Sequence, residues 1–257
     1  AIMTTKNPTQ NIHAFITGVS SGIGRALAVT MLERGYQVSG MARRADALKT
    51  LEDKYDQFFG IVGDVTDGDG VTDAIHRAEQ QFGAIDQAIL NAGTYVPQTD
   101  LSIDPTLFRE QMDINYMGQV NALAVLLPLM ENRQNGHIAL VSSVAGWRGL
   151  PLAASYGPTK SASISLAESL YFFCHENHIK LQVICPGFVE TEATAQNTFK
   201  MPMIMSAPDA ANAIIKGMRS SKFMISFPFM FALSLKILRI IPYRWYFWLM
   251  KRMIGQR

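Results

Sequence analysis

Cysteine is scarce in this chain: only Cys174 and Cys185 occur in 257 residues. Two thiols cannot build the framework that staples a small secreted domain, so a reducing cytoplasm is the expected setting. Long apolar runs are missing too. From Phe223 onward Pro228, Lys236, Arg239, Pro242 and Arg244 interrupt the most apolar stretch, which falls short of the ~20 apolar residues a membrane-crossing helix needs. Ala1 to Gln10 is polar and Ile12 to Ile16 is too short for a signal-peptide core, so no cleavable leader is expected there. There is no internal repeat, low-complexity tract or flexible linker. His175-Glu176-Asn177-His178 lacks the His-Glu-x-x-His spacing of a zinc helix, and no metal site is expected. Acidic residues are absent from 210–257, which carries nine Lys or Arg for a net charge of +9 against −7 for residues 1–209.

What is present alternates between short apolar runs and helical patterns, the mark of a parallel sheet covered on both faces. Strands are expected near 12–16, 36–41, 58–63, 86–90, 137–142, 180–185 and 223–226. Helices are expected near 22–34, 45–55, 68–82, 105–131, 156–177 and 208–219. The fold class is therefore α/β, with one catalytic domain over residues 1–226, a length ordinary for a single core. A helical extension over 227–257 follows it.

Two constellations carry chemistry. The apolar run Ile12 to Ile16 meets Thr17-Gly18-Val19-Ser20-Ser21-Gly22-Ile23-Gly24 and then a helical pattern. Glycines there let backbone amides approach a pyrophosphate, which the positive end of the following helix stabilises. The spacing is Gly-x-x-x-Gly-x-Gly, not the commoner Gly-x-Gly-x-x-Gly, although strand-before and helix-after are both satisfied. The second constellation is Tyr156 and Lys160, with Ser143 thirteen positions upstream of the tyrosine at the end of an apolar strand. Four residues along a helix place phenol and ammonium on one face. A nearby positive charge favours phenolate, so Lys160 is expected to lower the Tyr156 pKa.

Together Thr17 to Gly24, Asn91-Ala92-Gly93, Asn115, Ser143, Tyr156, Lys160 and Pro186-Gly187 resemble the short-chain dehydrogenase/reductase family, in its order and at its spacings, over residues 12 to about 226. The resemblance implies a Rossmann-type doubly wound parallel sheet of seven strands, a nicotinamide cofactor and reversible carbonyl/alcohol chemistry. It implies Tyr156 as general acid/base and Ser143 as a hydrogen-bond donor to the reacting oxygen. Lys160 is implied as holder of the nicotinamide ribose, and Asn115 as the helix residue anchoring a proton-relay water. Cofactor contacts are implied at Gly18, Ser20, Ser21, Gly22, Ile23 and Gly24, at Asn91, Ala92 and Gly93, and at Asp64 and Val65 beside the adenine. Pro186, Gly187, Val189 and Thr191 are implied to enclose the nicotinamide. Family members often pair through two long helices, so a homo-oligomer, dimer or tetramer, is expected.

Cofactor choice turns on the end of the second strand, where an acidic residue would accept hydrogen bonds from an adenosine ribose. Ala42 stands there, followed by Arg43 and Arg44, which match a 2′-phosphate by charge-assisted hydrogen bonds. NADP(H) is expected over NAD(H), with Ser20 adding a hydroxyl donor.

The segment Thr194 to Met205 contains Phe199, Met201, Pro202, Met203, Ile204 and Met205, an apolar lid suited to irregular apolar ligands. Trp147, Leu150, Leu152, Tyr95 and Phe188 are expected as further pocket walls. The tail places nine aromatics between Phe223 and Trp248, including two of the three tryptophans. Two in-plane helices, near 229–241 and 243–254, on the cytoplasmic face of a membrane fit a basic, aromatic segment. A dimer seam or a flap over the pocket would bury the same aromatics and stays open as the alternative. Dense apolar content argues against nucleic acid. The chain thus reads as an NADPH-dependent reductase of an apolar or lipid-like carbonyl, or the reverse alcohol dehydrogenase. A soluble reductase of small polar ketones with a dimerising tail, and a non-catalytic dinucleotide-binding scaffold, are the two rivals.

Overall fold

The first strand sets the frame. In the computed structural model, which describes residues 12–197 and 201–253, β1 (His13–Thr17) is buried at every position, as a central parallel strand must be. The chain then runs α1 (Gly22–Glu33), β2 (Gln37–Ala42), α2 (Ala45–Glu52), β3 (Phe58–Val62), α3 (Gly68–Phe82) and β4 (Gln87–Leu90). It continues through α4 (Pro105–Met112), α5 (Gly118–Asn132), β5 (Gly136–Val141), α6 (Tyr156–Glu176), β6 (Ile179–Pro186), α7 (Ala207–Met218) and β7 (Met224–Phe227). Two further helices, α8 (Phe229–Ile240) and α9 (Tyr243–Met253), close it.

The seven strands are all parallel in the order β3-β2-β1-β4-β5-β6-β7. The order reverses between β1 and β4, the switch point where such sheets bind ligands at their carboxyl ends. Each face of the sheet has its own core. One packs α1, α2 and α7 through Leu27, Met31, Leu51, Ile214 and Ile215. The other packs α3, α5 and α6 through Ile75, Leu126 and Ile164, and takes in Phe231, Ala232 and Leu235 of α8. Burying one such side chain contributes about 1.5–3 kcal/mol.

Every expected strand is found, displaced by a residue or two at most. One helix is not as expected. The stretch 105–131 is interrupted by a π turn at Asp113–Met117, a single-turn distortion of the kind that re-aims side chains at functional sites. It turns Asn115 inward, where it is fully buried. Among the described residues no helix is long and apolar enough to cross a membrane.

Candidate active site

The carboxyl ends of β1, β2, β4, β5 and β6 open into one cavity of about 1010 Å³. Its nucleotide half begins at the turn from β1 to α1. Gly18 and Gly22 adopt φ of +79° and +55°, conformations open to glycine at little cost. The close approach comes at Gly24, where a Cβ would lie 2.2 Å from the Gly18 carbonyl oxygen and 2.5 Å from Asn91 Nδ2. No side chain caps the first turn of α1, which also carries no acidic residue, so its amides and dipole are presented to an anion. The turn is pinned from behind: Thr17 Oγ1 accepts from the Asn91 and Ala92 amides, both at 3.0 Å, and Asn91 Nδ2 donates to the Thr17 carbonyl at 3.1 Å. These features fit a dinucleotide pyrophosphate.

Ser20, Ser21, Ile23, Arg43, Arg44, Asp64, Val65, Gly93, Pro186, Gly187, Val189 and Thr191 also line this cavity, with Gly18, Gly22, Asn91 and Ala92. Arg43 lies 3.7 Å from Asp64 and Arg44 3.2 Å from Glu192, all four side chains substantially exposed. Such surface pairs are worth at most about 1 kcal/mol, so either guanidinium can exchange its partner for a phosphate. Two expected contacts are not in the wall. Gly24 sits behind it against Gly18. Asn115 also stands back from it: its Oδ1 accepts from the Thr94 amide at 2.7 Å, and its Nδ2 donates to the Thr94 carbonyl at 2.9 Å and to Thr159 Oγ1 at 3.1 Å. Its side-chain amide thereby holds the loop after β4.

At the reacting end, β5 delivers Ser143 and the first turns of α6 deliver Tyr156 and Lys160 to the same wall. Lys160 is buried; its Nζ donates to the Val141 carbonyl at 3.0 Å and stands 5.5 Å from the centre of the Tyr156 ring. Tyr95 packs edge-on against Tyr156, with ring centres 5.1 Å apart. Ser142 lines the cavity beside Ser143 but donates its hydroxyl proton to the Lys160 carbonyl at 2.8 Å.

The expected acidification of Tyr156 is corrected by its surroundings. Burial pushes the phenol up to about 12, and a hydrogen bond with the Ser143 side chain pulls back only part of that. Burial likewise draws Lys160 down to about 8, opposed weakly by the Cys185 thiol. Desolvation penalises the charged form of both groups, and here it outweighs their proximity. The free site therefore keeps a neutral phenol and a readily neutralised amine.

The substrate half is lined by Tyr95, Leu150, Leu152, Phe188 and Pro202, but not by Trp147. Trp147 packs in the core under the Lys236 ammonium, which lies 5.5 Å from its ring. Of the expected lid, Thr194 and Asn197 line the cavity with Pro202, Met203 and Ile204 face solvent, and Met205 pairs with Val189; Phe199 lies outside the described residues. Phe231 and Leu235 of α8 and Met250 of α9 complete the wall. The i, i+4 spacing of Phe231 and Leu235 marks a packed helix face, but nothing local to it says that the face covers this cavity.

The sequence matches the family model described as short chain dehydrogenase over residues 12–201. It is 33% identical over 234 residues to an uncharacterized oxidoreductase of Myxococcus xanthus (strain DK1622), covering 89% of this chain and 92% of that protein. It is 29% identical to a 3-oxoacyl-[acyl-carrier-protein] reductase of Staphylococcus epidermidis, over 72% of this chain and 78% of the relative. Among solved structures, a short chain dehydrogenase of Burkholderia cenocepacia J2315 in complex with NADP superposes with a TM-score of 0.78 at 25% identity, covering 89% of this chain and 93% of that one. A short chain dehydrogenase/reductase of Burkholderia phymatum in complex with NAD shares the fold with a TM-score of 0.81 at 22% identity, over 89% of this chain and 92% of the other. The parallel sheet, the glycine cradle and the family match over most of the chain lead to one conclusion: this protein belongs to the short-chain dehydrogenase/reductase family and is an NAD(P)-dependent oxidoreductase.

Proposed function

We propose that the enzyme interconverts a carbonyl and an alcohol on an apolar, lipid-like substrate, with NADP(H) as its cofactor. The observation that carries this reading is the meeting of Ser143, Tyr156 and Lys160 at one wall of a cavity whose other end is a glycine cradle with two arginines. The nicotinamide, when bound, supplies or takes up the hydride. Tyr156, held protonated by burial, donates its proton to the alkoxide that develops on a reduced carbonyl. Ser143 hydrogen-bonds the same oxygen, and removing one such donor typically costs about 3–4 kcal/mol of transition-state stabilisation. Lys160 holds the ribose, and its charged form there favours phenolate in the oxidative direction. Asn115 positions the wall through Thr94.

Support for an apolar substrate comes from Leu150, Leu152, Phe188, Phe231, Leu235 and Met250, which surround the space beyond Tyr156. Support for NADP(H) over NAD(H) comes from Arg43 and Arg44 at the cavity edge, where Ala42 replaces an acidic residue. The same reading sets the enzyme on the cytoplasmic face of a membrane through residues 227–257. It also includes a homo-oligomer, which the exposed Phe172 and Phe173 of α6 support.

Oxidation of NADPH against long-chain ketones and aldehydes, steroids and polar keto acids tests the proposal. Turnover is expected with the bulky apolar carbonyls and NADPH, and much less with NADH. Activity confined to the polar keto acids would overturn the substrate class.

A further inference from the structure

We propose that the outer face of the α8–α9 hairpin docks on an anionic lipid surface, and that the cavity receives its apolar substrate from that surface past the hairpin's inner face. This rests on reading the cavity as the site of an apolar-carbonyl reductase. The hairpin has two chemically distinct sides. Inward, Phe231 and Leu235 join the core and, with Met250, wall the cavity. Outward, Phe229, Ile240, Trp245 and Phe247 are 73, 80, 62 and 61% exposed. Large apolar side chains gathered on two successive helices mark a contact surface rather than a solvated one.

Charge selects the occupant. Lys236, Arg239, Arg244, Lys251 and Arg252 are all exposed on these two helices, which carry no acidic residue. Cations interleaved with Trp and Tyr suit the headgroup region of an anionic membrane, where helices of this type lie in the plane. A second copy of the chain fits less well, because a symmetric interface sets the same patch against itself and would bring like charges together.

The hairpin is also fastened to the catalytic loop. Arg148, five residues after Ser143, donates through Nη1 to the Leu238 carbonyl, to the Ile241 carbonyl at 2.7 Å and to the Arg239 carbonyl at 3.2 Å. The Tyr246 hydroxyl donates to the Gly149 carbonyl at 2.5 Å. A hairpin seated on lipid therefore holds the mouth of the cavity against the phase in which an apolar carbonyl dissolves.

The test uses the full chain and the double variant Trp245→Ser/Phe247→Ser, which leaves the inner face intact; unchanged NADPH binding verifies its fold. Vesicles of phosphatidylcholine alone, and of phosphatidylcholine with an equal amount of phosphatidylserine, are floated with each protein. The full chain is expected on the phosphatidylserine vesicles, released by salt, and the variant is expected to partition about tenfold less. A long-chain aldehyde carried in those vesicles should be reduced about tenfold more slowly by the variant, while a short water-soluble aldehyde is reduced equally by both. Absence of vesicle binding by the full chain overturns the proposal, as does equal binding by the variant. So does a full-chain dimer that the variant converts to monomer, which would assign the face to a second copy. Vesicle binding without reduction of any apolar carbonyl would instead sink the reading of the cavity and leave the docking face standing.

Discussion

The Arg148 guanidinium lies 3.9 Å from the centre of the Tyr246 ring and 4.8 Å from that of Tyr243, so the loop that follows Ser143 grips the first turn of α9. The same guanidinium bonds the carbonyls at the end of α8, which no intrahelical amide can satisfy. Replacing Arg148 by Ala should destabilise the protein by about 1–3 kcal/mol through the lost charge-assisted and ring contacts. It should also raise KM for bulky apolar carbonyls while leaving NADPH affinity unchanged. Arg148→Lys should recover little, because an ammonium lacks the planar fork. Urea unfolding and steady-state kinetics check both outcomes.

Tyr156→Phe removes one oxygen from a site whose packing against Tyr95 it preserves. Turnover should fall about 10²- to 10⁴-fold, the usual contribution of a positioned proton donor, with NADPH binding retained. Near-normal turnover would move the acid elsewhere.

Lys160 links stability to pH. Its folded-state value is near 8 and its ordinary value is 10.5, so between these limits the unfolded chain binds a proton that the folded chain has released. Lys160 therefore makes stability rise with pH from about 8 to about 9, by about 1 kcal/mol; above 9.0 the buried Cys185 thiol, pushed up to about 12, works in the opposite sense and offsets it. Tyr156 acts oppositely above its ordinary value of 10.0, since its folded value is about 12, and turns the trend downward there. Urea titrations at stepped pH should show the rise in the parent chain, and Lys160→Met should flatten it.

Gly24→Ala tests the cradle. The added methyl meets the Gly18 carbonyl oxygen at 2.2 Å, a backbone atom that cannot swing aside. Overpacking of this kind costs about 1–3 kcal/mol, and the turn it displaces is the proposed phosphate seat. Thermal unfolding should show a lower Tm that NADPH no longer raises.

Arg43→Ala should weaken NADPH about tenfold by removing a charge-assisted bond to the 2′-phosphate, and leave NADH unchanged. Equal weakening of both nucleotides, measured by fluorescence titration, would assign Arg43 to the adenine side generally.

The order of strands and helices was legible along the chain because β1, β5 and β6 are mostly apolar runs of strand length and the helices between them are periodic. The glycine turn, Ser143, Tyr156 and Lys160 were legible for a similar reason: their roles depend on spacing within one strand-turn-helix or one helix face. The π turn was not, because a single inserted residue leaves the 3.6-residue pattern almost intact. Asn115 was expected on an unbroken helix, whereas in the folded chain it lies in that turn and its side-chain amide bonds the backbone of Thr94.

Local sequence thus determined the fold class and the segments that bring Ser143, Tyr156 and Lys160 to one cavity wall, since propensity, turn chemistry and i, i+4 geometry are properties of short segments. Tertiary structure decided the rest. The protonation of Tyr156 and Lys160 follows from burial by β5, β6 and the loop after β4, and desolvation has no local signature. Which face of the tail meets the cavity was likewise settled by packing between distant segments, where Phe231 found the core and Arg148 found α8.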